Sequence, residues 1–556
     1  MEKRWIIQKP EHRDSVNDDI NLSRIAHDIL ARRGIHGRQA VDAFLYGVDP
    51  IRPDPFKLAG MDAAVERIQR ALHEQEYIVV YGDYDADGVT ASALLVSAFR
   101  QLGANVDAFI PDRFIDGYGL HSGTIDRIHA AGCTLLVTVD CGIRGIEQVD
   151  HARSLGIDVI VTDHHQPGAT LPDAIAIIDP KQPGCTYGYT GLAGVGLAYK
   201  LVEALDAGTA NEYLDFVAVG TVADLAPMVG ENRNLVRAGI KQIEGGGRPG
   251  LDALLERVGA MDVPVTSSTI GYRIGPRINA AGRLKHAMLA YELLMAEDAE
   301  TAAEMADSLN AINQERRTIT EDIVQQALSM AEDSEDVPAF VFAFDEQFHE
   351  GVVGLAASRL AEQYYRPAAV GQVNDDHIRA SVRSIPEFNV ILALDACKDL
   401  LLRHGGHSAA AGFTVALENR DALVKKLRTL AEQQLAGQVL RPSIDVDCEV
   451  SFRELDDELL DFLEQLEPFG PGNPVPVLAV HHVEVLEKRR VGKDGKHLKL
   501  LFRENGLHRG GIAFGMGERA LTLSRWVDVA FHLERNVFRG VTEQQLNVID
   551  MKNAGT

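Results

Sequence analysis

An apolar run, Ile78 to Val80, breaks into Tyr81-Gly82-Asp83-Tyr84-Asp85-Ala86-Asp87-Gly88, and acidic or imidazole clusters recur at Val139-Asp140-Cys141-Gly142 and Thr162-Asp163-His164-His165. Carboxylates are hard oxygen ligands and imidazole is a borderline one, so clusters of this kind can converge to hold two divalent cations. Such a pair polarises a phosphoryl oxygen and acidifies water. The chemistry to expect is that of a metallohydrolase.

The first cluster also opens like a calcium loop, with acidic residues at alternate positions and glycine at the sixth. Its twelfth position is Leu94 rather than a bidentate Glu, and the segment before Asp83 has a strand pattern, Tyr77-Ile78-Val79-Val80. Calcium buffering is therefore rejected. Cys141, beside Asp140, reads as a small strand-end filler, because no pattern specific to thiol enzymes accompanies it.

The elements that must position these residues are short buried strands. Thr134–Val139 and Ile157–Thr162 are nearly continuous apolar runs, each ending at a potential ligand, with helical patterns between them. In a parallel sheet of this kind, ligands gather at the carboxyl ends of the strands.

The chain has 556 residues, of which 46% are hydrophobic, enough for three or four domains. With 81 acidic against 55 basic residues the formal charge is −26, which disfavours unspecific adhesion to nucleic acid or anionic membrane. A local basic channel stays compatible with it, because charges more than about 10 Å apart are screened in physiological salt. The start, Met1-Glu2-Lys3-Arg4-Trp5, leads into no apolar signal segment, and no window has the length of a membrane span. Cys133, Cys141, Cys185, Cys397 and Cys448 form no CxxC pair, so they are expected as reduced thiols in a cytoplasmic protein.

Changes of texture divide the chain. A helical segment, 1–50, closes at Pro50, Pro53 and Pro55; βα alternation fills 51–250, up to Gly245-Gly246-Gly247. A helical region, 251–335, ends in a long charged pattern from about Glu297 to Asp333, a strut between domains. A second β-containing block spans 336–436, and 437–556 reads as a small β-barrel with turns at Pro468–Pro474 and Lys493–Lys496.

YGDYDADG, VDCG, TDHH, Val219-Gly220-Thr221-Val222-Ala223-Asp224-Leu225-Ala226-Pro227 and Gly405-Gly406-His407-Ser408-Ala409-Ala410-Ala411-Gly412 follow the order and spacing of the DHH phosphoesterase superfamily. Within that superfamily the chain most resembles the bacterial single-strand-specific 5′→3′ exonucleases, over nearly its whole length. Gly275-Pro276-Arg277-Ile278-Asn279-Ala280-Ala281-Gly282-Arg283, His349–Gly354 and the terminal barrel are part of the likeness. The resemblance implies an α/β fold: a parallel-sheet DHH catalytic domain joined by a long helix to a smaller α/β DHH-associated domain, followed by an OB-fold-like barrel.

It also implies site roles. Asp140 bridges two cations, Mn²⁺ or Mg²⁺; Asp85 with Asp83 completes one site, and Asp87, His164 and Asp224 the other. His165 stands behind them, donating to a phosphate oxygen or orienting a ligand. Asp224 taken alone reads as a helix cap, and the resemblance turns that reading toward a ligand. Tyr81 stands where some relatives carry a ligating His. The implied reaction is two-metal phosphodiester hydrolysis, with no covalent protein intermediate.

Chain-end recognition needs phosphate ligands as well. Arg113, Arg277, Asn279 and Arg283 match backbone-contacting regions of the family, while Arg379, Ser381, Arg383, Gly406 and His407 match its terminal phosphate pocket. Arginine offers a bidentate fork, and small residues let backbone N–H groups approach an anion. The glycines and alanines alone also suit close helix packing; His407 between them favours the anion. Lys488, Arg489 and Arg490, in a basic hairpin running to Lys499, suit a phosphate-tracking surface, against the plain reading of a solvated turn.

The resemblance points to single-stranded DNA as substrate, in repair and recombination. It suggests single-strand-binding protein and a RecQ-type helicase as partners, no membrane, and a monomer. Two other readings stay open: a phosphodiesterase for short oligonucleotides or cyclic dinucleotides, against which the barrel and long helix speak, and a non-catalytic replication scaffold. The scaffold reading fits poorly with every expected acidic and histidine position being filled.

Overall fold

The computed structural model describes residues 3–7, 22–48, 52–332, 337–538 and 541–554. Met1-Glu2, Pro50 and Asp333, which figure in the sequence reading, lie outside the described residues. After a first strand, β1 (Arg4–Ile7), and two short helices, Arg24–Arg32 and Arg38–Tyr46, the chain lays down a parallel sheet. Its strands are β2 (Tyr77–Tyr81), β3 (Asn105–Phe109), β4 (Leu135–Val139), β5 (Asp158–Thr162) and β6 (Ala176–Ile178), in the order β3-β2-β4-β5-β6.

Both faces of this sheet are covered, which is why its strands are apolar runs and not alternating ones. Ile78, Val80, Leu135, Val137 and Ile160 pack with helices Ala86–Gln101, Gly194–Leu205 and Leu214–Ala223 on one side. Val79, Tyr81, Leu136, Val159 and Val161 pack with helices Ser122–Ala130 and Ile146–Ser154 on the other. The chain steps outward from β2 to β3 and returns on the far side of β2 as β4. That reversal opens a crevice at the carboxyl ends of β2 and β4, where the first two acidic clusters begin.

The expected strut is a single helix, Ala299–Glu332, of 34 residues and roughly 51 Å. Ala302, Ala306 and Leu309 belong to the core of the catalytic sheet, whereas Ile323, Ala327 and Ala331 belong to the next domain's core. That domain is a mixed sheet of β7 (Val341–Asp345), β8 (Ala368–Val373), β9 (His377–Arg383), β10 (Leu401–Gly406) and β11 (Ala410–Ala416), in the order β10-β11-β9-β8-β7. Only β7 and β8 run parallel in it.

The remaining strands are β12 (Ser443–Val446), β13 (Cys448–Glu449), β14 (Leu478–Val491), β15 (His497–Glu504), β16 (Leu507–Ala513), β17 (Trp526–Phe538) and β18 (Val541–Asn553). Pairing of β14 with both β15 and β17 closes β14-β15-β16-β18-β17 into a five-stranded barrel. The N-terminal segment, expected as a helical unit of its own, is instead part of this end of the molecule. β1 pairs with β12, and Ile25, Ile29, Leu30, Val41 and Leu45 share one core with Val480, Phe502 and Phe531. Two short amphipathic helices cannot bury their apolar faces alone, and the barrel supplies the cover. Among the described residues, no helix is long and apolar enough to cross a membrane.

Candidate metal centre

The turn after β2 is built around Asp85. It caps the helix Ala86–Gln101, its Oδ1 accepting from the N–H groups of Asp87 (2.9 Å) and Gly88 (3.1 Å). The remaining exposed donor, Ala86 N–H, goes to Asn279 Oδ1 at 2.9 Å. Gly88 is required here, because a Cβ would fall 2.5 Å from Asp83 N. The acidic turn is thus wound tightly enough to aim three carboxylates to one side.

Asp87, buried on the first helical turn, lies against the start of the helix Gly194–Leu205. Gly194 N–H donates to Oδ2 at 2.7 Å and Val195 N–H to Oδ1 at 2.8 Å. A helix N-terminus suits a carboxylate through its free donors and its dipole. Gly194 has no room for a side chain, since a Cβ would stand 2.7 Å from that of Asp140.

Asp140 follows β4 with a left-handed backbone, φ +60°, uncommon outside glycine and typical of functional strain. Its Oδ1 is 2.9 Å from His164 Nε2, which is 3.8 Å from Asp87 Oδ2 and 3.9 Å from Asp224 Oδ2. Ligand atoms gather within 4.8 Å of one another in three sets: Asp83, Asp85 and Asp140; Asp87, His164 and Asp224; Asp140, His164 and His165. Asp224 arrives from the C-terminal end of the helix Leu214–Ala223.

The electrostatics demand a cation. Burial first, and the neighbouring carboxylates second, push Asp83, Asp87 and Asp140 well above the usual carboxylate range. Burial and the charge of Asp85 raise Asp224 to about 7. Burial lowers His164 to about 3, so its imidazole is neutral and carries a lone pair. Asp83 Oδ1, Asp140 Oδ1 and His164 Nε2 are buried without a hydrogen-bond partner. Unmet acceptors packed face to face are costly unless a positive ion lies among them, and the donor set fits hard divalent cations.

Behind the cluster, Asp163 accepts from Ile143 N–H (2.9 Å), His165 N–H (3.0 Å) and His165 Nδ1 (2.7 Å). Burial opposes charge on Asp163, but the hydrogen bond and charge of His165 outweigh it and hold the carboxyl below its usual range. Burial likewise opposes charge on His165, and Asp163 overcomes it, raising the imidazole. Asp163 is the functional residue most plainly missed in the sequence reading. Its place at the end of β5 was visible; its three donors were not.

Tyr81 is wholly buried, and its hydroxyl donates to Gly119 O at 2.9 Å. The phenol therefore serves the loop after β3 and leaves the cluster to carboxylates.

Around the centre, a cleft of about 690 Å³ runs between the two sheet domains, lined by Tyr84, Arg113, Phe114, Tyr118, Arg379 and Ser381 among others. Arg113 lies over the Tyr84 ring at 4.8 Å, and Arg379 pairs with Glu350 at 3.0 Å. Arg283 donates to Gly351 O at 3.2 Å; burial, then repulsion from Arg113 and Arg316, lowers it to about 10. Arg316, on the long helix, thus joins a cationic group that the sequence did not single out. Ser381 and Arg383 lie on β9 beside Gly354, in the first turn of the helix Val353–Tyr364.

The other expected phosphate ligands also make contacts within the fold. Asn279 holds the acidic turn, and Arg277 is turned onto the long helix, with Nη2 2.8 Å from Asn310 Oδ1 and Nη1 2.7 Å from Arg273 O. Gly406 and His407 lie at the exposed β10–β11 turn, where His407 N–H donates to Ala410 O; the small residues around them belong to this hairpin and not to helix packing. On the barrel, Lys488 donates to Leu523 O (3.0 Å) and Arg490 to Gly495 O (3.1 Å), while Arg489 is exposed.

Three family models match the chain: the DHH family N-terminal domain over 77–221, the DHHA1 domain over 336–433 and the RecJ OB domain over 446–550. The single-stranded-DNA-specific exonuclease RecJ of Escherichia coli is 35% identical over 581 residues, covering 99% of both chains. That of Bacillus subtilis is 36% identical over 93% of this chain, which spans 66% of the relative's length. The crystal structure of Thermus thermophilus RecJ in complex with Mn²⁺ superposes with a TM-score of 0.86 at 30% identity, covering 100% of this chain and 80% of that one. Its Mg²⁺ complex gives 0.80 at 29% identity, covering 100% and 79%.

Proposed function

The chain belongs to the RecJ family of single-stranded-DNA-specific exonucleases, and from that premise we propose that it removes mononucleotides from the 5′ end of single-stranded DNA in repair and recombination. The observation that carries this reading is the pair of ligand groups meeting at Asp140 beside a cleft lined with arginines and aromatic rings.

Asp83, Asp85 and Asp140 would hold one cation, and Asp87, His164 and Asp224 the other, with Asp140, whose Oδ1 is 2.9 Å from His164 Nε2, placed between the two groups. Mn²⁺ or Mg²⁺ suits the carboxylates, and the imidazole leans the second group toward Mn²⁺. When bound, the pair supplies Lewis-acid polarisation of the phosphodiester and acidified water. The chain's own residues do the rest. The Gly194 and Val195 N–H groups fix the plane of the Asp87 carboxylate. His165, oriented through Nδ1 by Asp163, which also raises its imidazole, would donate to a phosphate oxygen. Arg113 and Arg283 offset backbone charge; Arg379, Ser381 and Arg383 receive the terminal phosphate; Tyr84, Phe114 and Tyr118 offer stacking faces to bases.

The proposal extends to a cytoplasmic monomer that meets a single-strand-binding protein and a RecQ-type helicase, as the family resemblance implies. Digestion of 5′-labelled and 3′-labelled oligonucleotides, single-stranded and blunt duplex, with Mn²⁺ and with chelator, tests the core of it. Release of the 5′ label first, from single strands only and only with metal, is expected. Early release of the 3′ label overturns the polarity, and equal attack on blunt duplex overturns the strand preference.

A further inference from the structure

Asn232 is completely buried in the first turn of the helix Gly230–Gly245, and its side-chain amide joins two loops of the catalytic domain. Nδ2 donates to Gly191 O at 2.6 Å and to Pro227 O at 3.0 Å. Gly191 lies just before Gly194 and Val195, whose N–H groups grip Asp87. Pro227 lies just after Asp224, past Leu225, whose backbone is left-handed at φ +59°. Asp87 and Asp224 are carboxylates of the same ligand group.

The orientation of the amide follows from its partners: both are carbonyls, so only the N–H₂ end can face them. The other end, Oδ1, is buried and accepts nothing. An unmet buried acceptor weakens the fold, and an apolar side chain of the same shape would avoid it. What the amide provides in return is a fixed distance between the two loops. Tyr189, two residues before Gly191, adds a second link between the loops, its hydroxyl donating to Val229 O at 2.9 Å.

We propose that Asn232 is a positioning residue for the cation group Asp87–His164–Asp224, cross-bracing the loop that grips Asp87 to the loop that carries Asp224. The proposal rests on the metal-site reading above. Charge repulsion pushes the two carboxylates apart when no cation is bound, so a brace keeps the site preformed. Outer residues that orient metal ligands are worth roughly 10–100-fold in metal affinity or activity.

Asn232→Leu keeps the shape and removes both donors; Asn232→Ser keeps one short donor and guards against a variant that fails to fold. The full-length chain is titrated with Mn²⁺ by calorimetry, and kcat, KM and single-strand affinity in chelator are measured beside it. For Asn232→Leu we expect one Mn²⁺ site weakened about tenfold or more, the other unchanged, kcat reduced and partly restored by excess Mn²⁺. KM and chelator-phase DNA affinity should hold; two unpaired carbonyls lower the melting temperature, so the selective loss at one Mn²⁺ site is the readout that a merely structural role would not produce. Asn232→Ser should fall between. Unchanged Mn²⁺ affinities at both sites in either folded variant overturn the brace alone, and a general loss of stability with both sites equally weakened does the same. Failure of the unsubstituted chain to take up Mn²⁺ overturns the metal-site reading and the brace with it.

Discussion

The catalytic sheet edge and the barrel hairpin both concentrate charge, and they leave it in opposite states. At the sheet edge Asp83 Oδ1, Asp140 Oδ1 and His164 Nε2 are buried with no hydrogen-bond partner. On the barrel, Glu484 accepts from Arg503 at 2.8 Å and Arg525 at 2.7 Å, and Lys488 and Arg490 donate to nearby backbone carbonyls. A charge that has found its partner inside the fold contributes to the fold. A cluster of buried carboxylate and imidazole atoms without hydrogen-bond partners, unlike a lone one such as Asn232 Oδ1, marks the place of something the chain does not itself contain. The comparison therefore separates ligand-binding charge from structural charge better than charge density does.

The largest test of that separation is Asp140→Ala. Removing the shared carboxylate should cost about a thousandfold or more in turnover, from the several kcal/mol of charge stabilisation at stake. Single-strand affinity in chelator should persist. A single-turnover assay beside a binding titration reads both, and residual activity within tenfold breaks the comparison.

Metal-free stability offers a second test. The folded pKa of Asp224 is about 7, above the ordinary value near 4, and Asp83, Asp87 and Asp140 move the same way. A carboxyl raised in the folded state costs stability as pH climbs from about 4 through its folded value, because the unfolded chain gives up the proton first. His164, lowered to about 3, runs the other way below its ordinary value near 6.5, as one group against four. The melting temperature in chelator should thus fall between pH 5 and 7, and Mn²⁺ at a hundredfold its Kd should restore about 2.7 kcal/mol. Calorimetry at several pH values checks both, and a rising metal-free profile refutes the account.

Tyr81 sharpens the boundary of the site. Since its hydroxyl serves Gly119 O, Tyr81→Phe should cost about 1 kcal/mol of stability and leave Mn²⁺ affinity unchanged. A weakened cation site would make the phenol part of the centre.

The smallest effect is expected on the barrel. With Lys488 and Arg490 already donating to carbonyls, Arg489→Ala should flatten the salt slope of single-strand binding by about 0.7, more than Lys488→Ala or Arg490→Ala does. An unchanged slope removes the hairpin from the DNA path.

How much was readable in the chain follows from distance along it. The acidic turn, Asp140 and the His164–His165 pair each end a short apolar strand, and both strand and ligand are local features of a few residues. The long helix was legible for the same reason. That Asn279 Oδ1 holds Ala86 N–H was not legible, because the two are 193 positions apart. The grip on Asp87 comes from 107 positions downstream. The N-terminal helices looked separate because the core that covers them is formed near the other end of the chain.

Residue types and local periodicity determined that this chain would build a buried parallel sheet with hard-cation ligands at its strand ends, since propensity and side-chain chemistry act over a few residues. Tertiary structure alone decided which carboxylates and imidazoles come together, which donors hold them and which arginines line the cleft. Those outcomes depend on partners meeting across the fold, where burial sets the energy of every unpaired polar atom.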